Sequence, residues 1–372
     1  CNQNCIGIMR MKSKTVNISN PNNTNLKTTE TASNKIKIKT DTSGAYNYQV
    51  SEMHSLKNEP NMPPIWYFAP NIIFTNGDWT IFSKNINDNL NRLSSPNNTV
   101  KEKTLEIIGN LKEQNEIIKT IRDFVAINIR KSGPAFFEIP LEFMSPAEKT
   151  LMDRYGNDAD CAILLSSMLK SAGIENEFVI ASDVPYIETL IQNIIKTPID
   201  GIFTKILVKI KDKEIYLNDT DQYSLLGVSP STGNAGLFLD TAKIIKIDCV
   251  DELRKKGIVN LTIALSENGN AKISKKQEYF GKDYSDFRKR YIEMTPEIRK
   301  RHIQEICAEI SQSAKPVGNL LTITDAYPGV EEFSMDAENY AIRDGKYLYL
   351  EISNPYNNIF NDLNASSRVN PY

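Results

Sequence analysis

The stretch Arg154-Tyr155-Gly156-Asn157-Asp158-Ala159-Asp160-Cys161-Ala162-Ile163-Leu164-Leu165 decides the fold, and it runs on to Ala172-Gly173-Ile174. A polar loop is followed by an apolar run that closes with a small residue, a glycine and an isoleucine. The pattern predicts a helix that begins near Asp158, because the unpaired N–H groups and the dipole of a helix N-terminus favour a carboxylate. In the simplest interpretation, Asp158 is the N-cap of that helix.

This segment resembles the nucleophile-helix motif of the transglutaminase-like superfamily, in which a loop written Gly-Asp-Cys-x-Asp-x-Ala opens an apolar helix. Alignment on Gly156, Asp160 and Ala162 puts Asp158 at the position of the catalytic cysteine. The resemblance implies an α+β fold with a papain-like transglutaminase core. A carboxylate keeps the negative charge of a thiolate at the helix start, but it is a far poorer nucleophile toward an amide.

The other two members of the family's Cys-His-Asp triad are also replaced. The strand pattern Phe203-Thr204-Lys205-Ile206-Leu207-Val208 places Lys205 where the family has histidine, and Ile215-Tyr216-Leu217-Asn218-Asp219-Thr220-Asp221 places Asn218 where it has aspartate. The resemblance therefore implies a degenerate triad of Asp158, Lys205 and Asn218. We expect an Asp158–Lys205 ion pair with Asn218 as its hydrogen-bonding neighbour; alternatively, the Lys205 ammonium extends into solvent.

A displaced active site is the second possibility. Cys161 is the thiol nearest to Asp158, although free cysteines usually behave as small buried apolar residues. The chain has two histidines, His54 and His302, and both fall outside the segments that resemble the core. Thiol catalysis would therefore need a base from elsewhere. Another option uses Asp158 as acid or base and Lys205 as cation.

Metal, cofactor and nucleic-acid sites are not predicted. The five cysteines show one short spacing and no matching His or Cys pair for zinc: Cys1, Cys5, Cys161, Cys249 and Cys307. No glycine-rich phosphate loop follows a predicted strand, so we expect no cofactor. The net charge of −2 argues against nucleic acid as a partner. No apolar run approaches the roughly 18 residues needed to span a bilayer.

The length of 372 residues and a hydrophobic fraction of 40% predict two or three domains. We expect a partial β-sandwich at 1–75, the transglutaminase-like core at 76–245 and a truncated, β-rich C-terminal domain at 246–372. The Glu-Pro-x-Met-Pro-Pro string at 59–64 resembles the end of the β-sandwich that precedes this core in one bacterial group. The chain begins without Met and ends in a predicted strand at 367–372, so we expect a fragment or a processed chain.

Hydrophobic periodicity predicts the individual elements. The predicted elements are a helical region at 78–131, strands at 178–181, 203–210 and 214–218, a hairpin at 260–274, a helical stretch at 284–313, and strands at 330–334 and 347–352. Helices followed by antiparallel strands are typical of an α+β protein.

These features favour a pseudoenzyme of the cysteine peptidase superfamily that binds a protein, peptide or glycan partner. The resemblance to bacterial members places it in the periplasm or cell envelope. The alternative is an active acyl-transfer or amide-hydrolysing enzyme that uses Cys161 or Asp158 with a non-standard base.

Overall fold

The computed structural model describes residues 2–4, 11–20, 24–31, 36–40, 46–53, 68–198 and 200–352. Several predicted features lie outside these residues: Cys1, Cys5, His54, the proline-rich string at 59–64 and the strand at 367–372. Within the described residues, no helix is long and apolar enough to cross a membrane.

The fold is α+β, as predicted. The helices are α1 (Trp79–Leu93), α2 (Asn98–Ile108), α3 (Gln114–Asn128), α4 (Ala147–Asp153), α5 (Asp158–Ser171), α6 (Glu188–Lys196), α7 (Gly281–Glu293) and α8 (Pro296–Ile310). Short 3-10 turns lie at Phe136–Glu138, Leu141–Phe143, Asp200–Ile202 and Asp251–Leu253.

The strands form several antiparallel sheets and one parallel pair. They are β1 (Asn2–Asn4), β2 (Met11–Ile18), β3 (Lys27–Thr31), β4 (Ile36–Thr40), β5 (Tyr46–Met53), β6 (Asn71–Thr75), β7 (Arg130–Lys131), β8 (Tyr155–Gly156), β9 (Asn176–Pro185), β10 (Phe203–Ile210), β11 (Tyr216–Leu217), β12 (Asn234–Phe238), β13 (Lys243–Lys246), β14 (Gly257–Leu265), β15 (Ala271–Tyr279), β16 (Ala314–Ile323), β17 (Gly329–Ala337), β18 (Ala341–Asp344) and β19 (Tyr347–Leu350).

Contacts divide the chain into two compact units, and the first contains residues up to Asp219 together with Ser231–Asp248. Its main sheet has the order β11-β10-β9-β12-β13, and small sheets β1-β6-β3 and β2-β5-β4 belong to the same unit. Helix α5 packs on β9 and β10 of the main sheet and against α2, α3 and α4. Every residue of α5 from Ala159 to Leu169 is buried, because the helix is covered on all sides. The predicted helix near Asp158, packed on the 203–218 strands, is confirmed.

The helical region predicted at 78–131 is confirmed as α1, α2 and α3. In α3, Ile118, Ile121 and Val125 are buried on one face, as their spacing predicted. The segment between the predicted strands at 178–181 and 203–210, for which no helix was predicted, contains α6, whose apolar residues Leu190, Ile191 and Ile194 are buried.

One ion pair in the main sheet is largely buried. Lys209 of β10 lies opposite Glu177 of β9, with 3.8 Å between Nζ and Oε1 and with side chains only 12% and 14% exposed. Burial raises the pKa of Glu177 from its ordinary value, and the neighbouring Lys209 opposes that shift.

The second unit contains Thr220–Pro230 and, among the described residues, 249–352. Its four-stranded sheet has the order β14-β15-β17-β16, and helices α7 and α8 cover the face that carries Ile273, Phe333 and Met335. The hairpin predicted at 260–274 is confirmed as β14 and β15. The division into three domains at 1–75, 76–245 and 246–372 stays a prediction.

Candidate functional site

Gly156 of β8 packs closely against the start of α5. A Cβ atom on this residue would lie 2.7 Å from the Cβ of Asp160, so a larger side chain would force the backbone to move. The side chain of Asn157 accepts hydrogen bonds from the N–H groups of Ala159 and Asp160, at 2.8 and 3.0 Å. Asn157 is therefore the N-cap, and the interpretation of Asp158 as N-cap is wrong.

Asp160 completes a capping box, which leaves the Asp158 carboxylate free for other contacts. The Asp160 Oδ2 atom accepts the Asn157 N–H at 3.1 Å. Its Oδ1 atom accepts the N–H of Ser145 at 2.7 Å, and this bond ties the loop before α4 to the helix start. Because Asn157 and Asp160 supply the capping hydrogen bonds at the N-terminus of α5, the Asp158 side chain can project toward the strands.

Asp158, at the start of α5, and Asn218, which follows β11, lie together beside the β11 edge of the main sheet. The Asn218 amide donates to the backbone oxygen of Asp158 at 2.9 Å and to its Oδ1 atom at 3.2 Å. It also donates to the backbone oxygen of Ile206 at 2.9 Å. Asn218 has a φ of +86°, in the region that asparagine tolerates better than most residues, and it is 8% exposed.

The ammonium group of this site comes from Lys131. Its Nζ atom donates to Asp158 Oδ1 at 2.7 Å, to the backbone oxygen of Asn218 at 2.9 Å and to Asn218 Oδ1 at 3.3 Å. These three oxygens match the three donors of an ammonium. The parallel pair of β7 and β8 brings Lys131 beside Gly156, two residues before Asp158. We call Lys131, Asp158 and Asn218 the charge cluster.

Lys205 does not join the charge cluster, so the predicted Asp158–Lys205 ion pair is wrong. The Lys205 Nζ atom lies 2.6 Å from Asp183 Oδ1, and the two side chains are 48% and 63% exposed. This neighbour lowers the pKa of Asp183 from its ordinary value. Successive strand residues point to opposite faces, and a register shift separates Phe203 from Lys205. The group of β10 that reaches Asp158 is instead the N–H of Ile206, 3.3 Å from Oδ2.

Cys161 is a poor candidate nucleophile. Its side chain is only 2% exposed, one turn into α5, and burial raises the pKa of its thiol to about 11. The nearby Lys131 opposes this shift, but Asp158 and Asp160 add to it. His302 lies in α8 of the second unit, where its Nε2 atom is 2.9 Å from the hydroxyl of Tyr291.

The sequence did not predict that Lys131 belongs to this site, because no pattern in the chain links it to Asp158. It lies 27 residues before Asp158, on a strand of only two residues. Two-residue strands show no periodicity, so hydrophobic pattern could not pair β7 with β8.

The charged groups of the charge cluster are already occupied by hydrogen bonds within the protein. The Asp158 carboxylate receives donors from Lys131, Asn218 and Ile206, and the Lys131 ammonium is fully used by oxygen acceptors. Across the described ranges, His, Cys, Asp and Glu side chains form no group of three that could hold a metal ion.

Comparisons with known proteins support the fold. The sequence matches no protein-family model and no curated protein. A solved structure described as a "putative protease" from Parabacteroides distasonis has a TM-score of 0.52 and 12% identity, covering 91% of this chain and 68% of that chain. Another, described as a "putative cysteine protease" from Cytophaga hutchinsonii, has a TM-score of 0.26 and 10% identity, covering 66% of this chain and 74% of that chain. The first supports a related α+β architecture; the second is too dissimilar to carry an argument.

Proposed function

We propose that this chain is a catalytically degenerate, transglutaminase-like protein that acts by binding a partner. The charge cluster carries this proposal. Where the family resemblance expects a thiolate, the Asp158 carboxylate meets the ammonium of Lys131, which comes from outside the three triad positions, and each satisfies the other. The charges of a reactive ion pair are kept, while the nucleophile and the base are replaced.

Neither Asp158 nor Cys161 is suited to attack the carbonyl carbon of an amide. Asp158 is held by three donors, which lowers the reactivity of a carboxylate that is already a weak nucleophile. Cys161 would have to become accessible and lose its proton, and its raised pKa opposes the second step at neutral pH.

Three aromatic side chains of the first unit, which we call the aromatic rim, are exposed. Phe137, Phe143 and Tyr155 are 52%, 70% and 55% exposed on the segment that leads into α5. Aromatic side chains of this kind are enriched at protein interfaces. A protein, peptide or glycan partner fits this rim, and the net charge of −2 disfavours nucleic acid. We place the protein in the periplasm or cell envelope.

An amide-hydrolysis assay together with iodoacetamide labelling tests the loss of catalysis. We expect no turnover of peptide amides by the native chain. Turnover that disappears in Cys161→Ala or in Asp158→Asn would refute the proposal and favour the enzymatic alternative.

Asp158→Cys gives a sharper test of the same site. A thiol at this position would sit at a helix N-terminus beside the Lys131 ammonium, and both features lower a thiol pKa. The variant should therefore react with iodoacetamide near neutral pH, far faster than Cys161 does. It should still fail to hydrolyse amides, because the described residues of the first unit include no histidine that could act as the base. Activity gained by this single change would contradict our account of the missing base.

Pull-down from cell-envelope extracts, with Phe143→Ala as the matched control, tests the binding role. A partner retained by the native chain and lost from the variant is the expected result. Equal recovery by both would place binding away from the aromatic rim.

A further inference from the structure

An open groove lies beside the β13 edge of the main sheet in the first unit. Strand β13 is the outermost strand of the order β11-β10-β9-β12-β13. The groove beside it has a volume of about 460 Å³ and is lined by Ala242, Lys243, Ile244 and Ile245. Ala242 immediately precedes β13, so the groove meets the first three residues of the strand, whose side chains point alternately to opposite faces.

The free backbone groups of this edge can be assigned from the hydrogen bonds of its neighbour. Ile247 donates to the oxygen of Asn234 and accepts the N–H of Gly233, so its backbone groups point toward β12. Backbone direction alternates along an antiparallel strand. The N–H and C=O groups of Lys246 and Ile244 therefore point outward, where no described strand pairs with them.

The opposite wall of the groove offers apolar surface. Ile195 and Pro198 at the end of α6 and Trp79 at the start of α1 line it. Ile195 and Ile245 are 45% and 42% exposed, so each leaves apolar area to be covered. An extended peptide laid on the edge would bury such area with alternate side chains.

The groove charges favour an acidic occupant. Two ammonium groups, those of Lys27 and Lys243, line the groove, whereas Asp78 is the one carboxylate among its lining residues. That carboxylate already caps α1 by accepting the N–H groups of Thr80 and Ile81, and it lies 3.6 Å from the Lys27 Nζ atom. Lys243 forms no ion pair within the part of the chain that the structure describes, which leaves an ammonium for a partner.

The same charges disfavour a second copy of this chain. The strand reads Lys243-Ile244-Ile245-Lys246 and contains no acidic residue, so pairing of two copies would bring four lysines into one interface. Like charges directly opposite one another destabilise a sheet, and edge lysines are a common defence against self-pairing. A strand of four to six residues with an acidic side chain would meet attraction instead.

We propose that the β13 edge binds an extended peptide segment of a partner protein, which adds a strand to the sheet. The segment carries alternating apolar residues and at least one Asp or Glu that meets Lys243. Main-chain hydrogen bonds to Ile244 and Lys246 supply affinity, and the apolar wall supplies selectivity. This inference rests on the proposed binding function and names its class of partner.

Selection from a phage-displayed library of random octapeptides tests the proposal. The folded chain is the bait, and Lys246→Pro is the counter-selection bait. Proline removes the outward N–H, and sheets tolerate it on an edge facing solvent. We expect enriched peptides with alternating apolar residues and an acidic residue.

Binding of the synthetic peptides is then measured by titration calorimetry. We expect Lys246→Pro to weaken binding about tenfold, the loss of roughly one hydrogen bond. Lys246→Ala, which keeps the N–H, should change it less than about twofold, and Lys243→Glu should weaken it about threefold or more.

Three outcomes would overturn the inference. One is a selection that yields no peptide able to discriminate the two baits. Another is a peptide whose binding is lost in Phe143→Ala but kept in Lys246→Pro; binding at the aromatic rim would then stand while the β13 site falls. The third is self-association in analytical ultracentrifugation that Lys246→Pro abolishes, which would make a second copy the occupant. Amide hydrolysis by the native chain would refute the proposed function independently of all three.

Discussion

Replacement of Lys131 by Met should destabilise the first unit clearly more than replacement of Lys205 by Met. The two lysines form a matched pair, because their side chains are 49% and 48% exposed and each ammonium lies within 2.7 Å of one carboxylate oxygen. They differ in their surroundings. Lys131 also bonds two oxygens of Asn218, whereas Lys205 bonds only Asp183, which is 63% exposed.

The size of the difference follows from exposure. Hydrogen bonds to charged groups contribute about 1.5–3 kcal/mol when shielded, whereas exposed ion pairs contribute about 0–1 kcal/mol. Lys131 lies between these limits, and Asp158 keeps two other donors after the change, so we expect a loss of about 1–2 kcal/mol. For Lys205→Met we expect about 0.5 kcal/mol or less.

Thermal unfolding of both variants measures the difference. A change of 1 kcal/mol shifts the melting temperature by roughly 2–4 °C in a unit of 150–250 residues. Hydrogen exchange of the α5 amides shows whether the loss is local to the charge cluster. A double-mutant cycle with Asp158→Asn should give a coupling energy of about 1 kcal/mol. Equal melting temperatures for the two lysine variants, or zero coupling to Asp158, would refute the reasoning.

Three further predictions address the first unit. Lys209→Met should cost about 2 kcal/mol, between an exposed and a fully buried ion pair, and should lower the melting temperature more than Lys205→Met does. The thiol of Cys161, with a pKa of about 11, should resist iodoacetamide near pH 8 in the folded state, and labelling should rise as the pH approaches 11 or when the chain is unfolded. Gly156→Ala should destabilise α5 by about 1–3 kcal/mol, whereas Gly201→Ala, where an added Cβ meets nothing within 4 Å, should change the melting temperature little.

The sequence predicted the core elements because their signals are long and strongly patterned. The apolar run after Asp158 could only be a buried helix, and the 203–210 segment is rich in β-branched and apolar residues. The missed elements have weaker signals. Helix α6 is nine residues long, and β12 and β13 are five and four residues long, with Gly236 interrupting β12. Short elements depend on tertiary packing more than on their own pattern.

The site was predicted in part. Alignment to a motif gives the position of a residue in the chain but not the direction of its side chain. For Asp158 and Asn218 the position was enough to predict that they are neighbours, because the start of α5 and the end of β11 lie close together. For Lys205 it was not sufficient, since the direction of a strand side chain depends on register, and one shift in β10 turns a residue to the other face. The assignment of these positions to a former triad remains our proposal.

The charge cluster also has a structural role that does not depend on catalysis. A helix N-terminus carries partial positive charge, so a carboxylate at Asp158 is favourable even without catalysis. That carboxylate is only 25% exposed, and a partly buried anion needs donors. Lys131 from β7, Ile206 from β10 and Asn218 after β11 supply them. The cluster and the Ile206 N–H thus join two strands and the residue after a third to one helix end, so replacing Lys131 or Asn218 would remove one of the donors of the Asp158 carboxylate.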